Sequence, residues 1–223
     1  MRIIVAMTGA SGAPYGVRLL QLLHGMPEVE THLIVSHAAA LTVRQECDLD
    51  IRQVESLADV VHKASAIGAT IASGSYPVDA MIVAPCSIKT LSAVANCYAN
   101  DLVTRAADVC LKEGRPLVLM VRETPLHLGH LRAMTAAAEA GAIIAPPVPA
   151  FYSRPTSVEE IVDQTVRRVL ARVGLADMAP VPWSGLSQSS DLCEDDGRDP
   201  SGSELPSPSA STSGSPRTDK PAP

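Results

Sequence analysis

The chain has 223 residues, of which 46% are hydrophobic and only 3% aromatic, and its formal net charge is −6. This length suits one α/β domain with or without a tail, and the apolar fraction excludes a wholly disordered chain. The acidic balance argues against binding to a phosphate backbone, and six aromatic rings are too few for a base-stacking platform, so no nucleic-acid partner is expected. The core is predicted to be aliphatic.

The cysteines and the termini bear on the cellular compartment. Five cysteines are scattered without Cys-x-x-Cys spacing, as expected of reduced thiols in a cytoplasmic protein. His127 and His130 lie three residues apart without an acidic or thiol neighbour, so no metal site is predicted. The apolar stretch at residues 3–7 is too short for a signal-peptide core, and no apolar run reaches the length of a membrane span. We therefore expect a cytoplasmic protein without a membrane partner.

The first part of the chain alternates strand and helix patterns. A β-branched run at residues 3–8 leads through a glycine turn at 9–12 into a helix over 14–25. A second strand over 31–35 precedes a helix over 38–45. Residues 48–79 are less decisive: 51–66 fit a strand and a helix, and 68–77 form a Gly/Ser-rich loop.

The second part continues the alternation. Strands are predicted over 80–84, 116–121 and 142–145, and helices over 88–112, with a break near Asn100-Asp101, and over 125–140. Ser157 and Glu160 form a predicted capping box that opens a helix over 158–173. Continuous apolar strands between helices predict a single doubly wound parallel sheet of the Rossmann or flavodoxin type, with helices on both faces.

The composition changes after Trp183. Residues 184–223 include eleven Ser, six Pro, seven acidic and three basic residues, so they carry −4 of the net charge. Such a segment buries too little apolar surface to offset the entropy of ordering it. We predict a folded domain over 1–183 and a disordered, Ser/Pro-rich acidic tail over 184–223.

The turn at residues 9–12 is a candidate anion site. Its small residues let backbone amides approach a phosphate at a helix N-terminus, and Ser11 adds a hydroxyl. It is neither a Walker A loop nor a full GxGxxG motif. Ser36 ends the second strand where an NAD-binding domain usually has an acid, which suits a phosphate or ribityl chain better than a ribose. The alternative is a turn that only closes a βα unit.

A second candidate turn follows the strand over 80–84. Ser87 and Thr90 offer hydroxyls at a helix N-terminus, so the two turns are expected to form a crevice at the carboxyl ends of the strands. Cys86 is either a nucleophile or a buried thiol, and the buried thiol is the commoner state where no histidine stands near to activate it.

A third candidate is the charged pair after the strand over 116–121. Arg122 can clamp a phosphate, and Glu123 can donate or accept a proton. The alternative is a structural Arg–carboxylate pair that closes the sheet. On the last helix, Arg167 and Arg168 are consecutive, so at most one of them is expected to face a site.

In this order the motifs resemble those of the flavin prenyltransferases, the UbiX family, which are partners of UbiD-type decarboxylases. The resemblance runs from about residue 2 to Trp183. It rests on the segments MTGASGA (7–13), PCSIKTLS (85–92), NDL (100–102), RAADV (105–109), LKE (111–113), RETPL (122–126) and FY (151–152). The RETPL segment resembles the corresponding motif of the family branch associated with phenolic-acid decarboxylase operons.

The resemblance implies a reaction and a ligand set. The family transfers a dimethylallyl group from dimethylallyl monophosphate to N5 and C6 of reduced FMN, without a metal. The product, prenylated FMN, passes to the decarboxylase. The resemblance also implies a homo-oligomer, a dodecamer.

Site roles follow from the resemblance residue by residue. The residues expected to hold FMN are Gly9, Ala10, Ser11, Ser36, Ser87, Ile88, Lys89, Thr90 and Arg122. Those expected to bind the donor phosphate are Tyr152, Arg168, Lys112 and Arg122, and Trp183 would offer its π face to the allylic cation, reaching a neighbouring subunit's site. The catalytic residues implied are Glu123 as acid–base group, Glu46 and Ser11 for proton movements in ring closure, and Lys112 for positive charge.

Two other functions stay open on the sequence. One is a flavin-dependent cysteine decarboxylase, whose relatives have Pro-Ala-Ser-Ala-Asn-Thr where this chain has PCSIKT (85–90). The other is an FMN-binding, non-catalytic subunit of a phenolic-acid decarboxylase. That function would leave Glu123 and Lys112 idle despite the expected cost of burying their charges.

Overall fold

The computed structural model describes residues 1–180 together with 182, 183 and 185. Its six strands are all parallel and lie in the order β3-β2-β1-β4-β5-β6. The strands are β1 (Arg2–Met7), β2 (Glu30–Val35), β3 (Val60–Lys63), β4 (Ala80–Cys86), β5 (Leu117–Val121) and β6 (Ile143–Ile144). The chain starts at the centre, moves out to one edge and returns to build the other half. The predicted doubly wound α/β fold is confirmed.

Helices cover both faces of this sheet. They are α1 (Ala13–His24), α2 (His37–Cys47), α3 (Ile51–Glu55), α4 (Ile88–Ala95), α5 (Leu102–Lys112), α6 (Leu128–Glu139) and α7 (Val158–Arg172). Buried residues of α1, α2, α3 and α7 share one core cluster, and those of α4, α5 and α6 share the other. Within the part of the chain that the structure describes, no helix has the length and apolarity needed to cross a membrane.

The inner strands are apolar because both of their faces are buried. In β1, Ile3, Val5 and Met7 point into one core cluster, while Ile4 and Ala6 point into the other. No aromatic side chain belongs to the buried core of the described residues, as the composition predicts. Most of the rings are exposed instead, namely those of Tyr98, Phe151, Tyr152 and Trp183.

Several predicted boundaries shift. The segment 88–112 is two helices separated by residues 96–101, close to the predicted break, and α6 begins three residues after Pro125. Residues 48–79, for which the sequence pattern did not distinguish strand from helix, contain α3 and β3. Ser157 caps α7 by accepting from the Glu160 amide at 3.2 Å, but the Glu160 carboxylate accepts from Thr156 N, not from Ser157 N as a capping box requires.

The predicted acidic tail, residues 184–223, lies outside the described residues except for Gly185, so its disorder stays a prediction. The compact unit that carries the elements above is Met1–Trp183.

Candidate functional site

The carboxyl ends of five strands open into one cleft of about 680 Å³. Residues that follow β1, β2, β3, β4 and β5 form its walls, as expected where ligands bind open α/β sheets. All nine residues predicted to hold FMN line it: Gly9, Ala10, Ser11, Ser36, Ser87, Ile88, Lys89, Thr90 and Arg122. Glu123 lies in the same lining. The structure therefore brings together residues that are up to 114 positions apart in the chain.

The first turn approaches the start of α2 closely. A Cβ atom on Gly9 would lie 2.4 Å from the Cβ of Ala38, so only glycine fits there. Gly12, which ends the turn, has a φ of +112°, a left-handed conformation that also favours glycine. The turn and the start of α2 thus form one continuous wall of the cleft.

The N-terminus of α1 already holds an anion. Glu46, near the end of α2, accepts hydrogen bonds at 2.8 Å from the amides of both Gly12 and Ala13. Burial alone would raise the pKa of Glu46, but bonds from Ser11, Gly12 and Ala13, with the charge of Arg122, lower it below its ordinary value. The expectation that the α1 N-terminus receives a ligand phosphate is therefore wrong, because a carboxylate of the chain takes that place.

The N-termini of α2 and α4 remain available to an anion. Ser36 and Ser87 cap them, accepting from the third amide of each helix at 3.1 and 3.3 Å. The first two amides of each helix, those of His37 and Ala38 and of Ile88 and Lys89, form no hydrogen bond within the described residues. All four residues line the cleft. This donor set fits the phosphate of FMN.

Arg122 and Glu123 follow β5 at the edge of the cleft. Both side chains are exposed, and neither forms an ion pair among the described residues. The alternative of a structural Arg–carboxylate pair is therefore wrong, and so is the expectation that Glu123 is buried within one chain. Burial raises the pKa of Tyr15, and the positive charge of Arg122 opposes that rise, so the guanidinium acts on this ring as well as on Glu46.

Cys86 is a structural thiol. It is fully buried at the end of β4, and burial raises its pKa to about 12. At neutral pH the side chain is protonated and shielded, which removes it as a nucleophile.

Tyr152 and Arg168 line a second pocket, of about 350 Å³, between α7 and the segment after β6. The ring of Trp183 contacts the Tyr152 ring edge-on, with centroids 5.6 Å apart. Arg167 instead pairs with Asp163 at 2.5 Å, so only one of the two consecutive arginines faces a pocket, as predicted. The two pockets share no lining residue, and Arg122 belongs only to the first.

Lys112 lines neither pocket and lies far from the cleft. It is the last residue of α5, whose start borders the cleft at Asp101 and Val103. A helix of eleven residues is about 16 Å long, so Lys112 lies near the opposite edge of the sheet. Its amine is exposed and pairs with Glu113. Within one chain Lys112 therefore does not share a pocket with Arg122 and Glu123, and its side chain is not buried as was expected.

Six residues line the cleft without having been predicted: Thr8, His37, Ala38, Ala64, Asp101 and Val103. Thr8 and Asp101 fall inside motifs that carry the resemblance, so their positions were available from the sequence. Ala64 comes from the segment after β3, where the pattern was undecided. Within the described ranges, no three His, Cys, Asp or Glu side chains are grouped so as to hold a metal ion.

The sequence of this chain is similar to those of known proteins. The Flavoprotein family model matches residues 1–170. Flavin prenyltransferase UbiX of Escherichia coli (strain K12) is 60% identical over 169 residues, which are 76% of this chain and 89% of that protein. The UbiX of Thauera aromatica is 55% identical over 185 residues, covering 83% and 95%.

Solved structures agree in fold. A dodecameric FMN-dependent UbiX-like decarboxylase from Escherichia coli O157:H7 has a TM-score of 0.81 at 50% identity, covering 83% of this chain and 100% of that one. AnUbiX in complex with FMN and dimethylallyl pyrophosphate has a TM-score of 0.80 at 47% identity, covering 83% and 98%. The cysteine decarboxylase TvaF, at 16% identity and a TM-score of 0.53, shares the fold alone. By sequence and by fold, this chain belongs to the Flavoprotein family and, within it, to the UbiX flavin prenyltransferases.

Proposed function

We propose that the protein transfers a dimethylallyl group from dimethylallyl monophosphate to N5 and C6 of reduced FMN, and that the prenylated FMN serves a UbiD-type decarboxylase. One observation carries the proposal: a single cleft collects all nine residues expected for FMN, with Arg122 and Glu123 at its edge. The 60% identity to a flavin prenyltransferase supports it.

FMN enters as a substrate whose reduced ring supplies the nucleophilic atoms. The amides at the starts of α2 and α4, with the hydroxyls of Ser36, Ser87 and Thr90, would hold its phosphate. Arg122, exposed on the cleft and free of an ion pair within the described part of the chain, adds a positive charge beside the ligand. The helix amides and the capping hydroxyls of Ser36 and Ser87 are held in place by the fold, which limits the entropy lost on association.

Glu123 is the proposed general acid and base. Among the described residues its carboxylate accepts a hydrogen bond only from the neighbouring Thr124 amide, at 3.0 Å, and the side chain lines the cleft. A carboxyl group there can give a proton to the departing phosphate and later receive one from the flavin ring. Arg122 next to it stabilises negative charge that develops on the leaving group.

Glu46 and Ser11 form the second proposed proton path. The lowered pKa of Glu46 keeps it ionised at neutral pH, and the Ser11 hydroxyl is among the groups that lower it. Ser11 also lines the cleft, so its hydroxyl can relay a proton between ligand and carboxylate. The same carboxylate holds the amides of Gly12 and Ala13, which fixes its position.

The donor phosphate is proposed to bind at Tyr152 and Arg168, with Trp183 beside them. In one chain this pocket does not join the FMN cleft, so we propose that the donor groups of one copy serve the cleft of a neighbouring copy. Lys112, on the far edge of the sheet, would act in the same way. A UbiX-like relative with 50% identity is dodecameric, which supports a homo-oligomer.

A direct assay tests the reaction. Purified protein is incubated without oxygen with reduced FMN and dimethylallyl monophosphate, and the flavin is analysed by mass spectrometry. The expected product has gained one dimethylallyl group, with release of inorganic phosphate. Flavin of unchanged mass would disprove the transferase. Binding of FMN without prenyl transfer, by a protein that decarboxylates no phenolic acid on its own, would support the alternative of a non-catalytic decarboxylase subunit. Decarboxylation of a peptidyl cysteine would support the cysteine decarboxylase.

A further inference from the structure

Thr8 is a buried polar residue at the end of β1, between the two turns that form the cleft. Only 3% of it is exposed. Buried hydroxyls are costly unless they are hydrogen-bonded, so its partners indicate why a threonine stands there.

The hydroxyl of Thr8 links β1 to the end of β4. It donates to the carbonyl oxygen of Pro85 at 2.8 Å and accepts from the amide of Ser87 at 2.8 Å. The Thr8 amide donates to the same Pro85 oxygen at 3.2 Å. One side chain thus forms both a donor and an acceptor bond with the segment that opens α4.

These bonds replace the regular strand pairing where it stops. The pairing of β1 with β4 runs from Ile3–Ala80 to Ala6–Val83, and the register of β4 against β5 shifts between Val83 and Cys86. Beyond Val83 the end of β4 therefore has no ladder partner in β1. Thr8 supplies the cross-link at this irregular point.

The cross-link sets the geometry of both turns. Ser87, held through its amide by Thr8, uses its own hydroxyl to accept from the Thr90 amide and so caps α4. Gly9 follows Thr8 directly and packs on Ala38 of α2. On the other side of β1, the Ser36 amide donates to Met7 O at 3.0 Å. The end of β1 thus fixes the starts of α2 and α4 relative to each other.

We propose that Thr8 is a positioning residue for the flavin, which holds the α4 turn at the distance from the first turn that FMN requires. This inference rests on the proposed function, because it assumes that FMN occupies the cleft. Thr8 acts through Ser87 and not by a chemical step, so its loss should weaken flavin binding more than turnover.

The test compares a substitution that removes the hydroxyl of Thr8 with one that keeps it. Thr8→Val keeps the volume but removes both hydrogen bonds of the hydroxyl, and Thr8→Ser keeps the hydroxyl. Thr31→Val is the matched control, since Thr31 is also buried but its hydroxyl has no hydrogen-bond partner among the described residues. FMN binding to each full-length variant is measured by fluorescence titration, and KM for reduced FMN and kcat by flavin mass analysis.

We expect Thr8→Val to raise the Kd and KM for FMN about tenfold or more, the size of one lost buried hydrogen bond, with kcat at saturating flavin changed less than about threefold. Thr8→Ser and Thr31→Val should bind FMN nearly as the wild type does. If Thr8→Val does not fold, Thr8→Ala against Thr8→Ser gives the same comparison without added bulk.

Equal FMN affinity of wild type and Thr8→Val would overturn the inference, as would a loss of binding in Thr8→Ser equal to that in Thr8→Val. Wild-type protein that binds no FMN would overturn the proposed function and this inference together. Wild-type protein that binds FMN but prenylates nothing would overturn only the reaction, leaving the positioning role to be decided by the binding data.

Discussion

Glu123 is the residue on which the proposed chemistry depends most directly. It faces the cleft beside Arg122 without an ion pair in the described chain, so its carboxyl is free to exchange protons. We expect Glu123→Gln to bind FMN as the wild type does and to slow prenyl transfer about 100-fold or more, the usual contribution of a general acid. Binding is measured by FMN titration and transfer by flavin mass analysis.

The control for this substitution is Glu139→Gln, an exposed carboxylate at the end of α6 that lines neither pocket. It should leave both quantities unchanged. Loss of FMN binding in Glu123→Gln with an unaltered rate at saturating flavin would contradict the acid–base role and assign the residue to binding.

Glu46 caps the N-terminus of α1, and this role predicts that the stability of the protein depends on pH. Its pKa in the folded protein is below the ordinary carboxyl value, so the unfolded chain binds more protons at acid pH and stability falls as pH falls through this range. Glu46→Gln keeps the shape but removes the charge that caps α1. We expect it to lower stability by up to about 1 kcal/mol at neutral pH, the size of a helix-terminus charge effect.

The measurement is the unfolding free energy of wild type and Glu46→Gln across pH. The difference should be present at pH 7 and should shrink as the pH falls below about 4 and through the lowered pKa of Glu46, where the wild-type carboxylate becomes protonated as well. A difference that stays constant down to acid pH would show that the amide contacts to Gly12 and Ala13, and not the charge, matter.

At the scale of elements, the edge strand β3 is fastened by a pair of stacked histidines. His32 of β2 is fully buried, with Nδ1 2.9 Å from Nε2 of His62 in β3 and Nε2 3.1 Å from the Glu30 carboxylate. Glu30 in turn pairs with Arg2 at 2.7 Å, and the Tyr76 hydroxyl lies 3.5 Å from His32 Nε2. The contact between Nδ1 of His32 and Nε2 of His62 requires one ring to donate the hydrogen bond and the other to accept it.

This arrangement predicts that acid loosens β3. Burial, with a smaller effect of the His32 charge, lowers the pKa of His62, so the unfolded chain takes up protons first and stability is lost as pH falls below about 6.5. Replacing His62 by Gln removes this titration and leaves a side chain that can still donate to His32. The wild type should therefore lose more unfolding free energy between pH 7 and 5 than His62→Gln does. Parallel pH profiles would contradict the prediction.

The same edge shows where sequence patterns become weak. The central strands were predicted within a few residues because both of their faces are apolar. In β3, half-buried and exposed residues alternate, and His62 and Lys63 stand among its four positions, so no apolar run indicates a strand. The start of α6 was placed too early because the helical pattern extends back to Pro125, whereas His127 is the residue that caps it.

At the scale of the whole molecule, the sequence predicts which residues belong to one site more reliably than it predicts which subunit contributes each of them. The nine residues that the resemblance predicts to hold FMN line one cleft because they follow the ends of β1, β2, β4 and β5, which the topology of a parallel sheet brings together. No comparable rule applies to Lys112, Tyr152 and Arg168, because none of them directly follows the carboxyl end of a strand. Their distances from the cleft depend on helix lengths and on neighbouring copies, which no pattern in one chain encodes.

The proposal that copies share the site predicts complementation between inactive variants. Glu123 lies in the FMN cleft and Arg168 in the second pocket, and within one chain these do not join. If donor groups act on a neighbour's cleft, a mixed oligomer of Glu123→Gln and Arg168→Ala subunits contains some sites with both residues intact. Each variant alone should be nearly inactive, and co-expression should restore about one quarter of the wild-type rate where subunits mix at random, since half of the clefts and half of the donor pockets are intact.

The measurement is prenylated flavin formed per subunit by co-expressed variants carrying different affinity tags and purified through both. Separately purified variants mixed without subunit exchange serve as the control and should stay inactive. Activity that does not rise in the mixed oligomer would place the donor groups and the cleft of one chain in the same site, which would require α7 and the segment after β6 to move toward β5. Recovery would show that the oligomer, and not the single chain, is the catalytic unit.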